Sequence, residues 1–206
     1  MMEKISKENT KPIKMIKPDG QLVDGDRNYL YALTLGIKPQ IIIESGTWKG
    51  GGSTYFLVSA LKKNQKGILY TYEEQKQFYD IAFNFYNTEE WKPYIKLFNE
   101  DFVKAMININ QEILDNTSLI FLDGGDETVE GQLKLPANKY PEHSENLASF
   151  KILEKRIKTG TSVVCHDWLG GRGEWIKIYL DSKKWEGWKL LYLNTNSVGM
   201  SHLIKL

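Results

Sequence analysis

Residues 41–54 read I-I-I-E-S-G-T-W-K-G-G-G-S-T. Three β-branched residues run into Glu44, and four glycines follow within seven positions. A short, uniformly apolar, β-branched run is the pattern of a strand buried on both faces, as in a parallel sheet. Glycines between a strand and a helix let the backbone approach a ligand closely and leave helix N–H groups pointing at it. Ser53 is placed to cap a helix carrying Phe56, Leu57, Ala60 and Leu61. The stretch predicts a strand, a ligand-binding turn and a helix in succession.

The same alternation continues outward. Upstream, Tyr29, Leu30, Leu33 and Thr34 mark the buried stripe of a helix over 24–35, ended by Gly36. Residues 1–23, lysine-rich with Pro12 and Pro18, read as a flexible arm. Downstream, strands are expected at 67–73, 94–98, 118–123 and 161–167. Helices are expected around Phe78 to Phe85, over 102–114, from Leu147 to Ile157 and over 174–182. Two further strands close the chain around N-T-N-S. Strands alternating with helices imply parallel strands joined by crossovers. The expected fold is a doubly wound, Rossmann-like α/β domain over 24–206. It has a mostly parallel seven-stranded sheet, a C-terminal antiparallel hairpin and an inserted loop at 124–144.

Bulk composition narrows the function classes. With 41% hydrophobic residues the chain can bury a substantial core. Its 27 Lys+Arg against 26 Asp+Glu give no general field for nucleic acid or an anionic membrane. No apolar run approaches the roughly 18 residues that span a bilayer, and the N-terminus lacks the apolar core of a secretory signal. Cys165 is the lone cysteine, so no internal disulfide can form. A soluble, cytoplasmic domain is the expectation.

In open α/β sheets, ligands bind beyond the carboxyl ends of the strands. The polar residues at those ends are Glu44, Glu73, Asp101 (after Glu100), Asp123, and His166 with Asp167. One such acid can simply cap the next helix; recurrence around one rim points to a ligand. Glu73 closes the second strand, where an acid can hydrogen-bond ribose hydroxyls. The ligand therefore contains a nucleoside. The glycine spacing departs from G-x-G-x-x-G, because three non-glycines follow Gly46, and no G-x-x-x-x-G-K-[ST] occurs.

Together these residues resemble the class I S-adenosylmethionine-dependent methyltransferases. E-S-G-T-W-K-G at 44–50 matches the family's E/D-x-G-x-x-x-G. L-Y-T-Y-E, F-N-E-D-F and S-L-I-F-L-D-G-G-D look like its second, third and fourth strand ends. V-V-C-H-D-W looks like the fifth-strand end of a small catechol- and sugar-O-methyltransferase branch. The resemblance implies S-adenosylmethionine held by Glu44, Gly46, Thr47, Gly50, Gly51, Ser53, Glu73, Asp101 and Asp123. A third glycine before Ser53 makes the loop one residue longer than in many relatives.

The resemblance further implies methyl transfer to an oxygen of a small-molecule acceptor. A divalent ion, Mg²⁺ or Mn²⁺, would lie near Asp123, His166 and Asp167, although relatives with a metal usually carry acids or an amide where His166 stands. His166, oriented by Asp167, and Asp126 are the candidate bases. Trp48 would cover the cofactor and Trp168 would wall the acceptor pocket, while Trp175, Trp185 and Trp188 pack the C-terminal elements. His143 reads as a solvated loop residue, His202 as structural and Cys165 as core. An NAD(P)-dependent oxidoreductase and a non-catalytic nucleoside-binding module stay open as alternatives. Nucleic acid is disfavoured as a partner, since no N-P-P-Y-type motif occurs; exposed aromatics would mark a homo-oligomer interface.

Overall fold

The computed structural model describes residues 22–125 and 144–206. The arm up to residue 21, most of the inserted loop, Asp126 and His143 lie outside the described residues. The elements follow the expected alternation. The first half contains α1 (Asp24–Ile37), β1 (Ile41–Ser45), α2 (Ser53–Asn64), β2 (Ile68–Tyr72), α3 (Lys76–Tyr86) and β3 (Ile95–Phe98). The second contains α4 (Phe102–Asn108), α5 (Gln111–Asp115), β4 (Thr117–Leu122), α6 (Glu145–Leu153), β5 (Ser162–His166), α7 (Glu174–Ser182), β6 (Trp188–Asn194) and β7 (Met200–Lys205).

The seven strands form one sheet in the order β3-β2-β1-β4-β5-β7-β6. The first five are mutually parallel, and β7 pairs antiparallel with both β5 and β6. Side chains alternate across the sheet, so each apolar strand feeds two cores. Ile42, Leu119, Phe121 and Val164 join the core under α1, α2 and α3. Ile43, Ile120, Leu122 and Val163 join the core under α4, α6 and α7. Burying each such side chain fully is worth about 1.5–3 kcal/mol. This is why the uniformly apolar runs settle at the sheet centre.

Four local expectations change. Gly36 lies inside α1, which ends one residue later with Lys38 in the left-handed region and its N–H bonded to the Thr34 carbonyl; Pro39 then disfavours any further helix. The single helix expected over 102–114 is two. Asn110 takes extended backbone, and its side chain accepts from the Glu112 N–H to start α5. The Arg156 guanidinium caps the break, donating to the carbonyls of Met106 (2.6 Å) and Ile109 (2.7 Å). Trp168 is buried in the core near Trp185, not in a pocket wall, and Trp175 is exposed.

Other expectations hold. Cys165 is fully buried, and burial pushes its thiol up. His202 is buried on β7, and its Nδ1 meets the Tyr29 hydroxyl at 2.7 Å, tying the edge hairpin to α1. Among the described residues no helix is long and apolar enough to cross a membrane. The edge strand β6 exposes Leu190, Leu191 and Leu193.

Candidate active site

Parallel strands deliver their carboxyl ends to one rim, and the sheet order reverses between β1 and β4. A cavity of about 390 Å³ opens there. Its walls include the residues just past β1, β2 and β4: Gly46, Thr47, Glu73, Asp123 and Gly124.

The turn after β1 is stitched to β2. The N–H groups of Gly46 and Thr47 both donate to the Tyr72 carbonyl, and the Thr47 and Thr71 hydroxyls are hydrogen-bonded. Trp48 takes a positive φ of 51°. Its N–H donates to Glu73 Oε2 at 2.8 Å, while the Gln75 N–H donates to Oε1 at 2.8 Å. Two backbone donors thus aim the Glu73 carboxylate at the cavity. The Trp48 ring packs on Phe78, with centroids 3.7 Å apart, and Trp48 lines the cavity.

The glycines divide between two tasks. Gly46 and Gly52 line the cavity. Gly50 faces away from it, with φ +83°, and its carbonyl accepts from the Tyr86 hydroxyl. A Cβ there would lie 2.7 Å from Tyr86 Cε2. Gly51 is buried outside the lining. The extra glycine is thereby resolved: Gly52, not Gly50 or Gly51, joins Gly46 at the cavity wall.

Glu44 is also turned inward. It is fully buried, and its carboxylate accepts from Ser53 Oγ at 2.6 Å and Thr54 Oγ1 at 2.8 Å. Ser53 therefore does not cap α2; its hydroxyl reaches back under the turn. Burial, with a smaller push from Asp123, raises the Glu44 carboxyl to about 7 against the pull of the hydroxyl donors. Asp101 is a helix cap: its Oδ1 accepts from the Lys104 N–H, and its neighbours Glu100 and Phe102 supply the cavity wall.

At the other end, Asp123, Gly124, Gly125, Glu145 and Arg172 converge. Glu145, in the first turn of α6, accepts from Ser45 Oγ at 2.8 Å. Asp123 Oδ1 meets His166 Nδ1 at 3.0 Å and accepts from Arg172 Nη2 at 3.1 Å. Asp167 Oδ2 accepts from Arg172 Nε at 2.7 Å. Burial would lower the His166 pKa, but Asp123 and Asp167 outweigh it and raise it. Burial would raise the Asp123 pKa, but His166 and Arg172 lower it. His166 and Asp167 sit behind the cavity wall, and His166 Nε2 is buried without a hydrogen-bond partner among the described residues.

A family model described as a methyltransferase domain matches residues 43–168, more than half of the chain. The chain belongs to this methyltransferase family. None of the curated proteins matches it in sequence. Solved structures share the methyltransferase fold at low identity. One is the O-methyltransferase TomG from Streptomyces achromogenes, involved in tomaymycin synthesis and complexed with SAM (15% identity, TM-score 0.67, 91% of this chain and 82% of that one). Another is the O-methyltransferase from Bacillus cereus in complex with SAH (16%, TM-score 0.64, 93% and 84%). A third is the SAH-bound Podospora anserina methyltransferase PaMTH1 (12%, TM-score 0.60, 90% and 80%).

The expected metal ligands do meet: one ligand atom each from Asp123, His166 and Asp167 lie within 4.8 Å of one another. The Arg172 guanidinium already reaches into this arrangement, while Asp167 Oδ1 and His166 Nε2 are buried without a hydrogen-bond partner among the described residues. Oxygens of both carboxylates are engaged by the Arg172 guanidinium, and His166 Nδ1 is engaged with Asp123. Sequence reasoning passed over Arg172 and Glu145, and left open which of Gly50, Gly51 and Gly52 faces the ligand. The available signal for Arg172 was its rarity: it is one of three arginines beside 24 lysines, set between glycines in G-G-R-G.

Proposed function

We propose that the cavity binds S-adenosylmethionine and that the protein methylates an oxygen of a small-molecule acceptor. One observation carries the reading: the cavity lining holds five carboxylates, Glu73, Glu74, Glu100, Asp123 and Glu145, against one arginine, Arg172. Such a surface attracts a ligand bearing sulfonium and ammonium charge and repels a dinucleotide pyrophosphate. The acidic lining therefore favours methyl transfer over the NAD(P) alternative on the same kind of sheet.

In this reading Glu73 accepts from the ribose hydroxyls, and Gly46, Thr47, Gly52 and Ser53 form the floor under the methionine part. Glu100 and Phe102 flank the base, and Trp48 covers it. Glu44, Gly50, Gly51 and Asp101 act one layer back, by holding the turns in shape. S-adenosylmethionine would supply an electrophilic methyl on sulfur; the acceptor oxygen would take it as the carbon–sulfur bond breaks, with S-adenosylhomocysteine as leaving group and the hydroxyl proton passing to water. The acceptor lies toward Asp123, Gly125, Glu145 and Arg172. Asp123, its pKa depressed, orients Arg172 rather than taking the proton. A reducing, cytoplasmic setting suits the lone cysteine. The O-methyltransferases named above, solved with SAM or SAH, support the choice of cofactor and of oxygen.

The test is binding by calorimetry and melting. S-adenosylmethionine and S-adenosylhomocysteine should both stabilise the chain, and NAD should not. Glu73→Ala should weaken both by tenfold or more, since hydrogen bonds to a charged group contribute about 1.5–3 kcal/mol. Stabilisation by NAD with no response to S-adenosylhomocysteine would sink the reading. Methyl label appearing in RNA or protein but in no phenolic or sugar hydroxyl would sink the small-molecule acceptor.

A further inference from the structure

We propose that Arg172 is the resident cation of this site: its guanidinium holds the place between Asp123 and Asp167 that a divalent ion would need, so the chain binds no such ion there. The proposal takes its meaning from the methyltransferase reading, where a metal was the expected feature of the acceptor end.

The position is built, not incidental. After β5 the chain turns at Asp167, which has a positive φ of 56°, and doubles back through G-G-R-G. A Cβ on Gly171 would lie 2.6 Å from Asp167 Cβ, and one on Gly173 would lie 2.2 Å from the His166 carbonyl oxygen. A Cβ on Gly125, in the loop opposite, would lie 2.8 Å from Arg172 Cδ. Glycines from two loops thus clear the path of one side chain. Arg172 arrives nearly buried, with Nε on Asp167, Nη2 on Asp123 and Nη1 3.5 Å from the Gly125 carbonyl.

The charge of Arg172 opposes a second cation, although Asp167 Oδ1 and His166 Nε2 have no hydrogen-bond partner among the described residues. Mg²⁺ or Mn²⁺ in such a site requires carboxylate oxygens as ligands. Here Asp167 Oδ2 and Asp123 Oδ1 already accept charge-assisted bonds from a planar fork. A guanidinium cannot yield by losing its proton, as a buried lysine can. An incoming divalent ion would meet a fixed positive charge within a few ångströms. His166 Nδ1 faces Asp123 Oδ1 at 3.0 Å, so that ring nitrogen too is engaged within the cluster. Charge compensation by Arg172 then does what a metal would: it keeps two neighbouring carboxylates compatible and places a fixed positive charge beside the acceptor.

The experiment is Mn²⁺ titration of the full chain, followed by the electron paramagnetic resonance signal of free ion. Wild type should show no Mn²⁺ site up to millimolar concentration. Arg172→Met should open one, at least tenfold tighter than any wild-type binding, and adding Asp167→Asn should abolish it. A wild-type Mn²⁺ site that Asp167→Asn removes overturns the proposal. So does an Arg172→Met protein that melts cooperatively yet gains no binding. If that variant does not fold, Arg172→Gln and the wild-type titration decide in its place by the same criteria. S-adenosylhomocysteine binding, measured alongside, separates the two ideas: its absence counts against the methyltransferase reading, while the Mn²⁺ result bears on Arg172 alone.

Discussion

Glu44 offers the sharpest quantitative test. Its carboxyl is fully buried beneath the glycine turn and is raised to about 7 from the ordinary 4.5. Burial is the largest cause, and Asp123 adds to it; the hydroxyls of Ser53, Thr71 and Thr54 work the other way. Because the folded value is above the unfolded one, the folded chain holds a proton that the unfolded chain releases. The resulting stability is fully present below about pH 4.5 and is lost as pH rises through about 7. The gap corresponds to a loss of about 3 kcal/mol between those limits. Glu44→Gln removes the titration and keeps the shape, and the Ser53 and Thr54 hydroxyls can rotate to suit the amide. Urea denaturation of wild type and variant across pH 4.5 to 8.5 cancels every other titrating group. The difference in unfolding free energy should swing by about 3 kcal/mol in favour of the variant as pH rises. A flat difference would mean that Glu44 is charged throughout, and the reasoning from burial would be wrong.

Two further outcomes follow from the backbone. Gly50 and Gly160 both have positive φ, but only Gly50 would clash, against Tyr86, whereas a Cβ on Gly160 meets nothing within 4 Å. Gly160→Ala should cost about 1–2 kcal/mol from conformation alone, and Gly50→Ala clearly more, with weaker S-adenosylhomocysteine binding; equal losses by chemical denaturation would contradict the packing argument. Arg156→Ala should destabilise by about 1–3 kcal/mol through uncapped carbonyls, with amide exchange accelerated at 102–116 ahead of the rest of the sheet. Uniform acceleration would show that the arginine does not act at the helix break.

Much of the molecule was legible because local chemistry and tertiary role agreed. Ile41, Ile42 and Ile43 could only be a buried strand, and the acids at 44, 73, 101 and 123 do fall at one rim. Where an acid points was not legible. Glu44 and Asp101 read as ligand contacts, but Ser53 and Thr54 claim the first and the Lys104 N–H claims the second. Nor was the break at Ile109, since the apolar spacing ran on through it and the capping arginine stands 47 residues away from the carbonyl of Ile109 that it holds.

The alternation of strands and helices along the chain and a glycine-rich turn after the first strand were determined by sequence alone, because hydrophobic period and turn chemistry act over a few neighbouring residues; the family was legible only as a resemblance of motifs. Which glycine faces the cavity, and which side chain bridges Asp123 and Asp167, were decided only by the tertiary structure. Gly50 is taken by Tyr86, 36 residues on, and Arg172 gains its meaning from carboxylates on two different strand ends. Close packing and charge compensation depend on atoms that meet in space, and no spacing along the chain encodes that meeting.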